Sequence, residues 1–196
     1  MKVKFIILIT AALFALSHFE LHAQANRTAT FKSSITVNGT SNIHDWNSKV
    51  EQVNGEAVLG PDNKIESLTV KIPVQTLKSG DKMMDKKTYE TMLHEKHPSI
   101  IFSLTEPTIA HVTPSEVQVT LTGNLTIAGV TKRISFKSSG KKNSNGDYVL
   151  SGSLPVKITD FKMKIPTALL GTIKAGDAVT IKVDVTLPAN NLAILN

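Results

Sequence analysis

Cysteine is absent from the 196 residues. The chain therefore has no disulfide, no thiolate metal site and no cysteine to carry an acyl anchor. Aromatic residues are only 5%, with a single tryptophan. Base stacking on exposed rings, the usual grip on single-stranded nucleic acid, has little to work with. Acidic residues are outnumbered, giving a formal net charge of +6. The excess is diffuse, because Lys86-Lys87, Lys132-Arg133 and Lys141-Lys142 are pairs rather than runs. A solvated basic surface, attracted at most to anionic lipid surfaces, fits this better than a nucleic-acid groove. Catalytic signatures are missing as well. No Gly-x-Ser-x-Gly elbow, Walker loop or Gly-x-Gly-x-x-Gly fingerprint occurs. No enzymatic activity, cofactor or metal site is expected.

What is present begins with an export pattern. Lys2 and Lys4 precede an apolar run from Phe5 to Leu16, and Ala23-Gln24-Ala25 has the small-x-small form of a signal-peptidase site. The run is shorter than the roughly 20 residues of a membrane-spanning helix. The expectation is a signal peptide over residues 1–25 and one mature domain over 26–196, periplasmic or secreted. Losing Lys2, Lys4 and Glu20 takes the net charge from +6 to +5.

Most of the mature chain alternates with period two. Val179, Ile181, Val183, Val185 and Leu187 face one way, and Thr180, Lys182, Asp184 and Thr186 the other. Leu68, Val70 and Ile72 repeat the pattern, as do Val117, Val119 and Leu121, then Ile134 and Phe136, and before them Ile35 and Val37. Such segments are strands with one dry face. Turn residues separate them at Gly60-Pro61-Asp62-Asn63, Asn143 to Asp147 and Ala175-Gly176-Asp177. The fold class is mainly β, an antiparallel sandwich or barrel.

One segment, Asp81 to His94, has helical spacing, with Met83, Met84, Thr88, Tyr89, Met92 and Leu93 on one stripe. Ser79 or Asp81 caps its start and Pro98 forbids its continuation. It is a short amphipathic helix between strands.

The four histidines of the mature chain form no ligand set. His94 and His97 lack the spacing of a zinc-protease motif and have no evident third partner. The stretch Gly39-Thr40-Ser41-Asn42-Ile43-His44-Asp45-Trp46 contains serine, histidine and aspartate, but too close in sequence to converge as a triad. It reads as a corner between strands, with His44 and Trp46 on one face and Trp46 sealing an end of the barrel.

Three stretches together resemble the YceI-like family of exported polyisoprenoid-binding proteins. They are Gly39 to Trp46; Val74 to Gly80, followed by the helix and His97-Pro98-Ser99-Ile100-Ile101-Phe102; and Gly123-Asn124-Leu125-Thr126-Ile127-Ala128-Gly129-Val130-Thr131-Lys132. Asp160-Phe161 and Gly176-Asp177 fit too, and the chain resembles a shorter variant carrying His-Asp-Trp. The resemblance implies a lipocalin-like antiparallel β-barrel of about eight strands, holding an isoprenoid or similar lipid chain and lacking catalysis. The residues expected to line it are His44, Trp46, Met84, Tyr89, Met92, Leu93, Phe102, Phe136, Phe161 and Met163. The alternative is a filled barrel without a ligand, acting as an envelope or stress-related interaction module.

Overall fold

A computed structural model describes residues 27–29 and 32–188. The expected signal segment and the end of the tail lie outside the described residues. The strands are β1 (Arg27–Ala29), β2 (Lys32–Ser41), β3 (Trp46–Val50), β4 (Asn54–Leu59), β5 (Lys64–Pro73), β6 (Leu77–Lys78) and β7 (Ser99–Leu104), with helix α1 (Lys82–Thr91) between β6 and β7. There follow β8 (Thr108–Ile109), β9 (His111–Val112), β10 (Glu116–Ile127), β11 (Val130–Lys142), β12 (Tyr148–Lys157), β13 (Thr167–Ala168) and β14 (Ile173–Leu187). The expected class, mainly β and antiparallel with one helix, is the observed one. Strands outnumber the eight expected because β1, β6, β8, β9 and β13 are bridges of two or three residues.

The ladder runs β1-β4-β5-β7-β10-β11-β12-β14-β2-β3-β6. It curls so far that residues from both ends line one interior. Beyond Val50 and Leu77 the pairing of β3 with β6 carries on into the flanking turns. Glu51 N–H donates to the Thr76 carbonyl at 2.9 Å, and Thr76 Oγ1 reaches the Gln52 carbonyl at 3.4 Å. Every apolar residue of the alternating sets named above faces this interior, including Ile35, Leu68, Val119, Phe136 and Val183, except Val179, which lies at its mouth. The alternation is thus the inside-outside code of the wall.

Turn chemistry fixes the register. Ile127 pairs with Val130, leaving Ala128 and Gly129 as a two-residue hairpin loop with φ of 48° and 77°. Two positive φ values in a tight hairpin match the right-handed twist of the strands. The His97 ring lies against Gly129, where a Cβ would come within 2.5 Å of its Cε1. This packs the start of β7 against the β10–β11 hairpin and gives His97 a structural role. The expected turn at Ala175-Gly176-Asp177 is instead a bulge inside β14, where the register against β2 shifts between Ala175 and Val179. The extra residues bend the strand without ending it.

Helix α1 is capped by Asp81, whose Oδ1 accepts from the amides of Met83 at 2.7 Å and Met84 at 3.0 Å. Ser79, the other candidate cap, instead donates its hydroxyl to Asp85 at 2.6 Å. The helix stops before Pro98 matters, because Leu93 adopts a left-handed φ of 53°. The buried stripe is narrower than the sequence implied. Tyr89 and Met92 pack on Ile35, Ile72 and Leu77, while Met83 and Leu93 are exposed. The Tyr89 hydroxyl lies 2.8 Å from the Leu77 carbonyl and 3.0 Å from that of Gln75, and accepts from Lys78 Nζ at 2.9 Å. That hydrogen bond raises the Lys78 pKa above its ordinary value.

A second cover comes from the irregular segment between β12 and β14. Its 3₁₀ turn, Ile158–Phe161, places Phe161 against Leu125 and Ile127. Asp177 holds this turn to β14. Its carboxylate accepts from Thr159 N–H at 3.0 Å and from the Thr159 hydroxyl at 2.8 Å. These two bonds, with a smaller contribution from the Lys157 charge, hold its pKa below the ordinary 3.8. A depressed pKa stabilises the fold above the unfolded value, and the gain disappears as pH falls through the folded value. An Asp177→Asn variant is therefore expected to melt below the wild type at neutral pH. The gap should close under acid below about pH 3.8. Thermal melting of both proteins across pH checks this.

Candidate functional site

The curled sheet encloses a cavity of about 250 Å³. Among the described residues its wall carries no charged side chain, and its polar members are Ser33, Asn63 and Ser138. The rest are aliphatic residues of the inward-facing sets together with Phe102 and Phe136. The alternation dictates this, since each strand sends every second side chain inward. Asn63 Oδ1 is buried without a hydrogen-bond partner, in the β4–β5 turn.

Above this interior lies an outer groove of about 930 Å³. Three elements frame it: the β2–β3 turn, helix α1 and the segment from Val156 to Ala175. Val37, Leu77, Ile100 and Ile181 contribute to both spaces. They form the layer where groove meets interior. Unlike the interior, the groove is bordered by charge, from Lys86, Lys87 and Lys157 and from Asp81 and Glu90. Glu90 lies 3.5 Å from Lys87, and Asp81 is engaged as the helix cap.

The ten expected lining residues divide between these spaces. Phe102 and Phe136 line the inner cavity. His44, Trp46, Met84, Met92, Phe161 and Met163 line the outer groove. Tyr89 belongs to the cluster beneath the helix, its hydroxyl tied to backbone carbonyls. Leu93 lines neither space; it is the exposed, left-handed end of the helix. Sequence reasoning missed the loop from Pro166 to Ile173, which walls the groove opposite the helix. Its residues have no periodicity that would reveal their direction.

The stretch from Gly39 to Trp46 is the β2–β3 turn at this mouth. Trp46 lies flat over Gly39, where an added Cβ would overlap its ring, and its Nε1 donates to the Thr40 carbonyl at 2.9 Å. Glycine is required at 39 for that approach. Trp46 lies at the mouth as expected, but His44 precedes β3 instead of sharing its face. Ser41 Oγ donates to the His44 carbonyl at 2.7 Å, and His44 Nδ1 lies 2.8 Å from the Asp45 carbonyl. These side chains close a turn; they do not form a proton relay. Asn42 ties the turn to the start of the neighbouring β14, donating to the Thr172 carbonyl and accepting from Lys174 N–H, both at 2.9 Å. Among the described residues no group of three or more His, Asp or Glu side chains is placed to hold a metal ion.

Chemically, the arrangement offers apolar contact deep inside and polar, mainly cationic contact at the mouth. Solved structures share the fold. The chain resembles BcnA of Burkholderia cenocepacia at 19% identity, covering 79% of this chain and 95% of that one, with a TM-score of 0.61. A polyisoprenoid-binding domain from Saccharophagus degradans, implicated in plant cell wall breakdown, matches at 9% identity over 80% and 94%, with a TM-score of 0.57. The YceI protein of Campylobacter jejuni matches at 16% identity over 88% and 93%, with a TM-score of 0.53. Comparison with curated proteins found no match. The model of the YceI-like domain matches residues 17–187, and the chain belongs to that family.

Proposed function

We propose that this chain is a non-catalytic, exported carrier that holds an isoprenoid or similar lipid chain in its interior. The observation that carries this reading is the uncharged cavity of about 250 Å³ continuing into an open groove. A cavity of about 150 Å³ accommodates benzene, so the interior has room for on the order of ten carbons, about two isoprene units. A longer chain would continue into the groove. Driving force comes from apolar surface leaving water, about 25 cal/mol per Å². A charged or strongly polar head cannot follow the tail inward, because nothing there compensates its lost hydration. It would remain at the groove, within reach of Lys86, Lys87, Lys157 and His44. The polyisoprenoid-binding domain of like fold supports this ligand class, and the basic, apolar, small-x-small start of the chain supports export to a periplasm or the exterior. The filled-barrel alternative expects no internal cavity, and the interior has one.

Trp46 is the only tryptophan and lines the groove, so it reports on occupancy. Titrating delipidated protein with an isoprenoid quinone should quench its fluorescence saturably at about one equivalent. Linear, non-saturating quenching identical to that of free tryptophan would overturn the reading.

A further inference from the structure

Seven large apolar side chains are exposed among the described residues, and four of them, Ile43, Met83, Leu169 and Leu170, stand on the rim of the outer groove. They come from three separate segments: the β2–β3 turn, the first turn of α1 and the 3₁₀ turn Leu169–Gly171. Leu170 is 109% exposed, Met83 73%, Leu169 68% and Ile43 57%. Leu170 is the most exposed of the four, and Leu169 beside it is exposed as well. They also have left-handed backbones, with φ of 47° at Leu169 and 57° at Leu170. Asparagine and glycine adopt that conformation readily, whereas leucine does so at a cost. Leucine here burdens the folded chain twice, through its backbone and through apolar surface left in water. Such a burden at a surface tip points to a use. The tip is also held in place, by the hydrogen bonds of Asn42 to Thr172 and Lys174.

Charge completes the pattern. From residue 157 to 174 the segment carries Lys157, Lys162, Lys164 and Lys174 against a single acid, Asp160. Lys162, Lys164 and Lys174 are exposed. Helix α1 adds Lys82, Lys86 and Lys87, balanced by Asp85, Glu90 and the capping Asp81. An apolar tip on a segment rich in exposed lysines suits a bilayer interface, where leucine enters the acyl boundary and ammonium groups remain with the phosphates. A narrow protruding tip suits a protein partner less, since a stable protein interface takes about 800 Å² from each side.

We propose that the mouth of the barrel docks on anionic phospholipid bilayers, with Leu169 and Leu170 inserted and Lys162, Lys164 and Lys174 against the headgroups. Docked in this way, the groove opens onto the membrane. The proposal stands whether or not the interior carries lipid.

Vesicle flotation of the purified chain tests it, using equal parts phosphatidylglycerol and phosphatidylethanolamine against pure phosphatidylcholine. The wild type is expected to float with the anionic vesicles and to bind neutral ones at least roughly tenfold more weakly, with raised salt weakening the anionic case. A Leu169→Asn/Leu170→Asn variant keeps a backbone-compatible residue at both positions, so its melting temperature should match or exceed the wild type. Its vesicle affinity should fall roughly 100-fold. Lys162→Glu/Lys164→Glu should weaken anionic binding alone. Failure of the wild type to float, or equal flotation of the asparagine variant, overturns the proposal. So does a leucine-dependent self-association or protein complex without vesicle binding. Mass spectrometry of lipid held by both proteins keeps the outcome separate from the carrier reading.

Discussion

Replacing Phe161 by alanine is expected to destabilise the protein by about 4 kcal/mol, the middle of the range for a buried phenylalanine. Phe161 is 2% exposed and packs on Leu125 and Ile127. It is the anchor by which the segment between β12 and β14 covers the barrel. Its ring is wedged at the end of a 3₁₀ turn whose next residue, Lys162, is left-handed with φ 55°. The chain reverses sharply there, so the segment has little freedom to collapse into the space a lost ring leaves. The loss combines missing apolar transfer with an unfilled hole, and both terms are near their maximum for a side chain this enclosed. For a chain of this length the melting temperature should drop by roughly 10 °C. Chemical denaturation should show a lower midpoint with an unchanged slope. A loss under about 1 kcal/mol would show that the segment is not held by this ring.

Filling the interior has the opposite signature. Val183 projects from β14 into the inner cavity, beside Ile35, Ile72 and Leu77. In a Val183→Trp variant the indole would occupy much of the roughly 250 Å³ now open. Overpacking a dense core costs about 1–3 kcal/mol, but here the added volume meets empty space, so stability should stay within about 1 kcal/mol of the wild type. Binding of an isoprenoid quinone to the Val183→Trp variant, followed by calorimetry so that the second tryptophan does not interfere, should weaken at least roughly 100-fold. The two substitutions thus separate what holds the fold from what holds a ligand. An unchanged affinity in the filled variant would place the ligand in the outer groove alone.

The wall was readable in the sequence because alternation reports a physical constraint directly. Each of Val117, Val119 and Leu121, or Ile181, Val183 and Val185, must avoid water, and only period two allows a strand to do so. The capping Asp81 was legible for a similarly local reason, whereas the two-residue loop at Ala128 and Gly129 was not singled out as a turn. The bridges β6, β8, β9 and β13 were not legible, because two residues carry no period. The bulge in β14 looked like a turn, since Gly176 and Asp177 serve either purpose and only the neighbouring β2 decides. Met83 was placed on the apolar stripe, yet the helix packs on the sheet through Tyr89 and Met92 and leaves Met83 exposed. The rim leucines were invisible for a deeper reason. Left-handed φ at Leu169 and Leu170 contradicts their local preference, so no propensity argument finds it.

The central claim is that the uncharged interior exists to hold a lipid chain. Its most direct measurement is mass spectrometry of organic extracts from the protein purified, without detergent, from cells that naturally produce it. The account predicts one lipid species, or a narrow homologous series, with an unbranched or isoprenoid tail at close to one molecule per chain, and its loss in the Val183→Trp variant. Repeated extracts free of lipid, together with no uptake of isoprenoid quinone or prenyl phosphate by the same protein, would contradict it.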